Sequence, residues 1–137
     1  MNYIEFITQQ WMLVSLLAIL VAVYMLRERV KSGLPVSPNE LTALVNADKA
    51  VIVDIRPNAE FKTGHLVNAL NIPYERIGAD LATLEKYKSK TIILIDKIGQ
   101  YSGMAGRQLI KEGYDVRRLS GGIGEWQNQS LPLVKTK

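Results

Sequence analysis

An uncharged run near the N-terminus, Ile7 to Leu26, limits the folds open to this chain more than any other feature of its sequence. From Trp11 onward the run is almost wholly apolar. A helix of about 20 such residues is long enough to cross a hydrocarbon core of about 30 Å. Trp11 and Tyr24 stand near the two ends, where amphipathic aromatic rings prefer the membrane interface. The run therefore predicts one transmembrane helix.

Two other interpretations of the run agree less well with its flanks. A cleaved signal peptide begins with positive residues and ends at a small-residue site, whereas only Glu5 precedes this run and no Ala-x-Ala follows it. A helix buried in a soluble core shows a 3.6-residue amphipathic pattern, which is missing here. Arg27, Arg29 and Lys31 follow the run at once, while no Lys or Arg precedes it. The positive-inside rule then predicts an outer N-terminus and a cytoplasmic C-terminal domain.

The boundaries of the predicted regions follow from these signals. Residues 1–31 form the transmembrane helix and its basic flank. Ser32, Gly33 and Pro35 break the helix and are interpreted as a short linker over residues 32–36. Residues 37–137 remain for one domain, which we expect to lie close to the bilayer.

Composition excludes several classes of site. The chain has no cysteine, so disulfides, thiolate metal sites and cysteine nucleophiles are all excluded. His65 is the single histidine, which makes a histidine-based zinc site improbable. We expect no metal and no cofactor. The net charge of +4 is scattered and forms no dense basic run in the domain, so nucleic acid is not an expected partner.

The domain shows strands that alternate with helices. Short continuous runs of apolar, β-branched residues at 50–54 and 91–95 are typical of strands buried on both faces of a parallel sheet. Further strands are predicted at 70–73 and 116–119. Helices are predicted from Ser37, a capping residue followed by Pro38 and Glu40, to Asn46, and also at 81–87 and 102–112. This order predicts an α/β fold, a parallel sheet flanked by helices.

A functional site in such a sheet is expected where strands turn into helices, because those loops gather backbone N–H groups and the positive end of a helix dipole. The loop after the strand at 91–95 is the first candidate. Its residues are Asp96, Lys97, Ile98, Gly99, Gln100, Tyr101 and Ser102.

Several segments in order resemble the rhodanese (sulfurtransferase) family over nearly all of residues 37–133. The first resembles the family signature D-x-R, E-[FY] and G-H-I, and comprises Asp54, Arg56, Glu60, Phe61, Gly64, His65 and Leu66. The next resembles G-A-x-N-I-P and runs from Asn68 to Pro73, with Asn68 at the usual glycine. The last resembles L-x-G-G-I-x-x-W and comprises Leu119, Gly121, Gly122, Ile123 and Trp126. The resemblance implies a rhodanese-like sheet.

These outer motifs are structural in the family, and the residues themselves agree with that role. Asp54, Arg56 and Glu60 are expected to form a local charge and hydrogen-bond network behind a strand. For His65 a satisfied, half-buried imidazole after a glycine turn is favoured. Gly121 and Gly122 belong to the closing motif. Ile123 and Trp126 are expected to pack inward from a short helix.

The family's active loop has the form C-x-x-G-x-R-S, in which a thiolate carries sulfur as a persulfide among loop amides. The present loop keeps its length, Gly99 and Ser102, but Asp96 stands at the cysteine position and Tyr101 at the arginine position. A carboxylate cannot carry a transferable sulfane sulfur. We expect no sulfurtransfer, and hypothesise that the Asp96 carboxylate itself fills the ring of loop N–H groups.

One span followed by a cysteine-less rhodanese-like domain resembles a single-span bacterial inner-membrane type. The expected function is a catalytically inactive interaction or scaffolding module, whose partners are the lipid bilayer and a membrane or membrane-proximal protein. Two alternatives stay open: an Asp96-dependent hydrolase of phosphatase type, and a small-anion sensor. Ser15 and Ala18 also offer a small-residue surface for helix association in the span.

Overall fold

The computed structural model describes residues 2–136, except for the side chain of Arg29. The Arg29 side chain, which was predicted to belong to the basic flank, lies outside the described part of the chain. Met1 and Lys137, at the ends of the predicted regions, lie outside it as well. The chain divides between Val30 and Lys31 into two compact units.

The first unit is helical. Helix α1 (Tyr3–Gln9) begins at Asn2, whose side chain accepts a hydrogen bond of 3.0 Å from the backbone N–H of Glu5. Helix α2 (Trp11–Lys31) contains an 18-residue segment, Trp11–Glu28, with a mean hydropathy of 1.8 and no buried residue. By length and composition, α2 is apolar enough to cross a membrane.

The second unit is built on a parallel sheet of five strands in the order β1-β5-β4-β2-β3. The strands are β1 (Leu34–Val36), β2 (Ala50–Asp54), β3 (Leu70–Asn71), β4 (Thr91–Ile95) and β5 (Val116–Leu119). The helices are α3 (Pro38–Asn46), α4 (Asn58–Thr63), α5 (Leu81–Leu84), α6 (Ser102–Lys111) and α7 (Gly122–Asn128), with 3-10 turns at Tyr74–Arg76 and Glu85–Tyr87. The predicted α/β sheet flanked by helices is confirmed.

Strand β4 contributes side chains to the hydrophobic core on both faces of the sheet. Ile92 and Leu94 belong to one core cluster, which also contains Leu109 of α6. Ile93 and Ile95 belong to the other cluster, on the opposite face, with Leu41, Ile123 and Trp126. Side chains alternate along a strand, so a continuous apolar run is required when both faces are buried. The inward packing expected of Ile123 and Trp126 is confirmed.

Helix α3 begins as predicted. The backbone N–H of Glu40 donates to Ser37 Oγ at 3.2 Å, and the Ser37 hydroxyl donates to Glu40 Oε1 at 3.3 Å. Pro38 occupies the first turn, where its missing N–H costs nothing.

Residues 32–36 differ from their interpretation as a linker. Leu34–Val36 form the edge strand β1, which pairs in parallel with β5. Pro35 lies opposite Arg118 in that pair, and an edge strand tolerates proline because one of its sides needs no hydrogen-bond donor. Ser32, just before the strand, is 6% exposed. Residues 32–36 therefore belong to the second unit.

Candidate functional site

The loop between β4 and α6 closes around the side chain of Asp96. Asp96 Oδ1 accepts the Gly99 N–H at 2.5 Å, and Oδ2 accepts the N–H groups of Tyr101 at 2.7 Å and Ser102 at 3.0 Å. The residue is 3% exposed. A carboxylate with three backbone donors at a helix N-terminus is well stabilised, because the donors and the helix dipole both favour negative charge. The Asp96 carboxylate thus fills the ring of N–H groups from Gly99, Tyr101 and Ser102, as hypothesised. We call this ring the anion cradle.

The start of α7 holds the base of this loop. Ile123 N–H donates to the Asp96 carbonyl at 2.8 Å, and Gly124 N–H donates to the Lys97 carbonyl at 3.0 Å. Gly122 has a φ of +61°, and a Cβ there would lie 2.5 Å from the Asp96 carbonyl oxygen. The glycine pair of the closing motif, Gly121 and Gly122, therefore lets α7 begin directly against the loop.

Asp54 and Arg56 form a buried ion pair beside the loop. Arg56 Nη2 donates to Asp54 Oδ2 at 2.7 Å and to the Gly64 carbonyl at 2.7 Å, while the Arg56 backbone N–H donates to Asp54 Oδ1 at 3.0 Å. Glu60 was expected in this network, but among the described residues its side chain has no ion pair and it lines the neighbouring cavity instead. Position 60 is on α4, and the Gly64 carbonyl supplies the acceptor expected from Glu60.

His65 makes its side-chain contacts within its own segment of the chain. Its Nδ1 lies 2.8 Å from the Phe61 carbonyl oxygen, and its ring stacks on Phe61 with centroids 3.8 Å apart. Its backbone pairs with Val134 near the C-terminus. With 7% exposure, the residue is buried rather than half-buried.

Asn68, which replaces the usual glycine of its motif, has a φ of +65°. Asparagine enters this left-handed region more readily than other non-glycine residues, so the turn survives the substitution.

A cavity of about 510 Å³ opens over the loop at the carboxyl ends of β2 and β4. Tyr101, at the family's arginine position, stacks on Tyr74 with ring centroids 4.6 Å apart and an interplanar angle of 12°. The cavity is lined by Ile55, Arg56, Pro57, Glu60, Pro73, Tyr74, Glu75, Asp96, Lys97, Ile98, Gln100 and Tyr101. Tyr74 and Glu75 were missed from the sequence, although their position directly after the Asn-Ile-Pro motif was a usable signal.

Comparison with known proteins agrees with this geometry. The profile of the rhodanese-like domain family matches residues 37–129. The protein YibN of Escherichia coli K12 is 34% identical over 104 residues, which cover 74% of this chain and 73% of YibN. The chain belongs to the rhodanese-like domain family. A second relative, protein BU052 of Buchnera aphidicola, is 32% identical over 93 residues that cover 66% of this chain and 65% of BU052.

Solved structures show the same fold. A rhodanese-related protein from Thermoplasma volcanium superposes with a TM-score of 0.68 at 24% identity, covering 74% of this chain and 98% of that one. A thiosulfate sulfurtransferase from Pseudomonas aeruginosa gives a TM-score of 0.70 at 21% identity, covering 80% of this chain and 22% of that one. At these identities the likeness concerns the fold alone. Within this fold, the present rhodanese-like domain has no cysteine.

Proposed function

We propose that the chain is a membrane-anchored, catalytically inactive rhodanese-like domain, which acts as a protein-interaction or scaffolding module at the bacterial inner membrane. The N-terminus lies outside and the domain lies in the cytoplasm. The partner is a membrane or membrane-proximal protein.

The observation that carries this proposal is the state of the Asp96 cradle. Both carboxylate oxygens are engaged by backbone N–H groups, and the chain has no thiol that could form a persulfide. Sulfurtransfer needs a nucleophile that takes up and releases sulfur, and a carboxylate does neither. The scaffold of the active loop is therefore present without its chemistry.

The anchoring rests on α2 and its flank. No residue of Trp11–Glu28 is buried, so the apolar side chains of this segment require a partner phase or a partner helix. Arg27 and Lys31 follow the uncharged run that ends at Leu26, and positive residues at that place favour the cytoplasmic side.

The cavity over the loop is the surface best suited to a protein partner. The stacked rings of Tyr74 and Tyr101 supply an apolar wall, and aromatic residues are enriched in protein interfaces. Glu60 and Glu75 add negative charge to the lining. Tyr101, at the arginine position of the active loop, adds aromatic area where relatives with the usual loop carry a cation.

The geometry of the Asp96 loop argues against the two alternatives, a hydrolase of phosphatase type and a small-anion sensor. A phosphatase-type nucleophile must present a carboxylate oxygen to substrate, whereas Asp96 is 3% exposed and faces into its own loop. An anion sensor must leave the cradle open, whereas the Asp96 carboxylate occupies it and repels a second anion. Neither alternative has an observation in its favour.

Photocrosslinking in living cells tests the proposed function. With p-benzoylphenylalanine at Gln100 or Glu75, both on the cavity lining, we expect an adduct that fractionates with membranes. The same reagent at Val67, which is 51% exposed and outside this cavity, is the matched control and should give none. Changing both Tyr74 and Tyr101 to alanine should remove the adduct, because the aromatic wall is lost.

Equal adducts from the cavity and control positions, or adducts that survive loss of both tyrosines, would contradict docking in the cavity. Thiocyanate formation from thiosulfate and cyanide by the purified full chain would contradict the inactive state.

A further inference from the structure

The outward side of α6 and the loop tip before it combine apolar and basic side chains. Ile98 is 65% exposed and Met104 is 61% exposed. Met104, Arg107 and Lys111 follow one another at helical spacing on the outward side, and Lys97 is exposed beside Ile98. We call these five residues the basic-apolar face. Exposed apolar side chains next to Lys and Arg are typical of surfaces that bind at a membrane interface.

The chain enters the second unit along this same helix. Gly106 lies so close to the backbone of Ser32 that a Cβ at position 106 would stand 2.1 Å from the Ser32 carbonyl oxygen. Arg107 Nε donates to Ser32 Oγ at 3.0 Å, and the position of a Cβ on Gly103 is 3.9 Å from Ser32 Cβ. Arg118 Nε then donates to the Gly33 carbonyl at 2.8 Å. Ser32 is therefore held against the part of α6 from Gly103 to Arg107.

The length of chain between the apolar segment and Ser32 sets how far the domain can lie from a bilayer. The uncharged run ends at Leu26, and five residues separate it from Ser32. Even fully extended, those six steps reach no more than about 22 Å, and because α2 continues as a helix to Lys31 they rise only about 9 Å. The headgroup region of each leaflet is itself about 5–7 Å thick. If α2 spans the membrane, the part of α6 that contacts Ser32 is held within reach of the headgroups.

We propose that the basic-apolar face rests on the inner leaflet of the membrane, where Ile98 and Met104 enter the boundary between headgroups and acyl chains. This inference rests on the membrane anchoring in the proposed function. Lys97 and Lys111 lie over anionic headgroups, because the negative surface of that leaflet attracts basic side chains within a Debye length. A tether of this length favours lipid contact over a partner free in solution, because it keeps the face at a high effective concentration near the bilayer.

Contact of the basic-apolar face with the leaflet would also bring the cavity over the Asp96 loop close to the bilayer. Ile98 is both part of the basic-apolar face and part of the cavity lining, so the cavity mouth opens beside the bilayer. A partner then reaches Tyr74 and Tyr101 along the membrane surface. Membrane proteins and membrane-proximal segments satisfy that condition.

Site-specific quenching in proteoliposomes tests the inference on the full chain. The chain has no cysteine, so Ile98→Cys and Met104→Cys each provide one attachment point for an NBD fluorophore. The matched control is Val67→Cys, an exposed apolar residue that lines a different cavity, together with Ala50 at the amino end of β2. In vesicles of phosphatidylcholine and phosphatidylglycerol with doxyl-labelled lipid, quenching at 98 and 104 is expected to exceed that at 67 at least about twofold. Lys97→Glu with Lys111→Glu should reduce it.

A label at Leu26→Cys, within the apolar segment, separates the two possible failures. Strong quenching at 26 with equal, weak quenching at 98, 104 and 67 would overturn the leaflet contact and leave the anchoring intact. No quenching at 26 would overturn the anchoring and this inference together. Shielding at 98 and 104 that grows with protein concentration without lipid quenching would mean that a second copy covers the face, and would likewise overturn the inference.

Discussion

Asp96→Ala is expected to lower the free energy of unfolding of the second unit by about 3 kcal/mol, because three backbone donors lose their acceptor at about 1–3 kcal/mol each. The donors are the N–H groups of Gly99, Tyr101 and Ser102. Water entering the vacated space compensates part of the loss, so the lower end of that range applies. The measurement is urea unfolding followed by the fluorescence of Trp126 in a Trp11→Phe background, since the chain has two tryptophans.

Two control variants sharpen this prediction. Asp96→Asn keeps one acceptor oxygen, so its loss should lie between zero and that of the alanine variant. Glu75→Ala removes an exposed carboxylate from the same cavity and should stay within about 0.5 kcal/mol of the parent. An Asp96→Ala protein as stable as its parent would show that the three hydrogen bonds do not hold the loop.

Gly122→Ala should destabilise the domain by a similar amount, about 3 kcal/mol, since overpacking costs about 1–3 kcal/mol and a left-handed alanine adds about 1–2 kcal/mol. The new Cβ would stand 2.5 Å from the Asp96 carbonyl oxygen, 2.8 Å from Lys97 C and 2.9 Å from Ile98 N. All three are backbone atoms, so no side-chain rotation relieves the contact. Thermal unfolding and amide hydrogen exchange of the loop are the measurements.

Gly99→Ala is the matched control for the contact itself. Gly99 also has a positive φ, +91°, but a Cβ there meets no atom within 4 Å. Its replacement therefore carries the conformational cost alone, and loop exchange rates should change less than in Gly122→Ala. Equal losses in both variants would mean that backbone conformation, and not the contact between α7 and the loop, sets the cost.

The elements that could be predicted from the sequence are those with strong local signals. The continuous apolar run of β4 indicates burial on both faces, and Ser37 with Glu40 indicates a helix start. The place of Asp96 in its cradle followed from the length of the loop, because backbone N–H groups at a helix start have few other acceptors.

The features that escaped prediction depend on contacts distant in sequence. Strand β1 has three residues and contains Pro35, so it shows no periodicity and is defined only by pairing with β5. The close approach of Gly106 to Ser32 and the stacking of Tyr74 on Tyr101 likewise join separate segments. Glu60 was assigned to a network because of charge alone, while the Gly64 carbonyl completes it.

The central claim is that the Asp96 carboxylate occupies the site where an active relative holds its anionic group. The most direct test is a titration of the full chain with thiosulfate, followed through the amide chemical shifts of Gly99, Tyr101 and Ser102. The account predicts no shift in the parent protein and a saturable shift in Asp96→Ala, whose cradle is open to an added anion. Saturable shifts of the same size in the parent protein would contradict it.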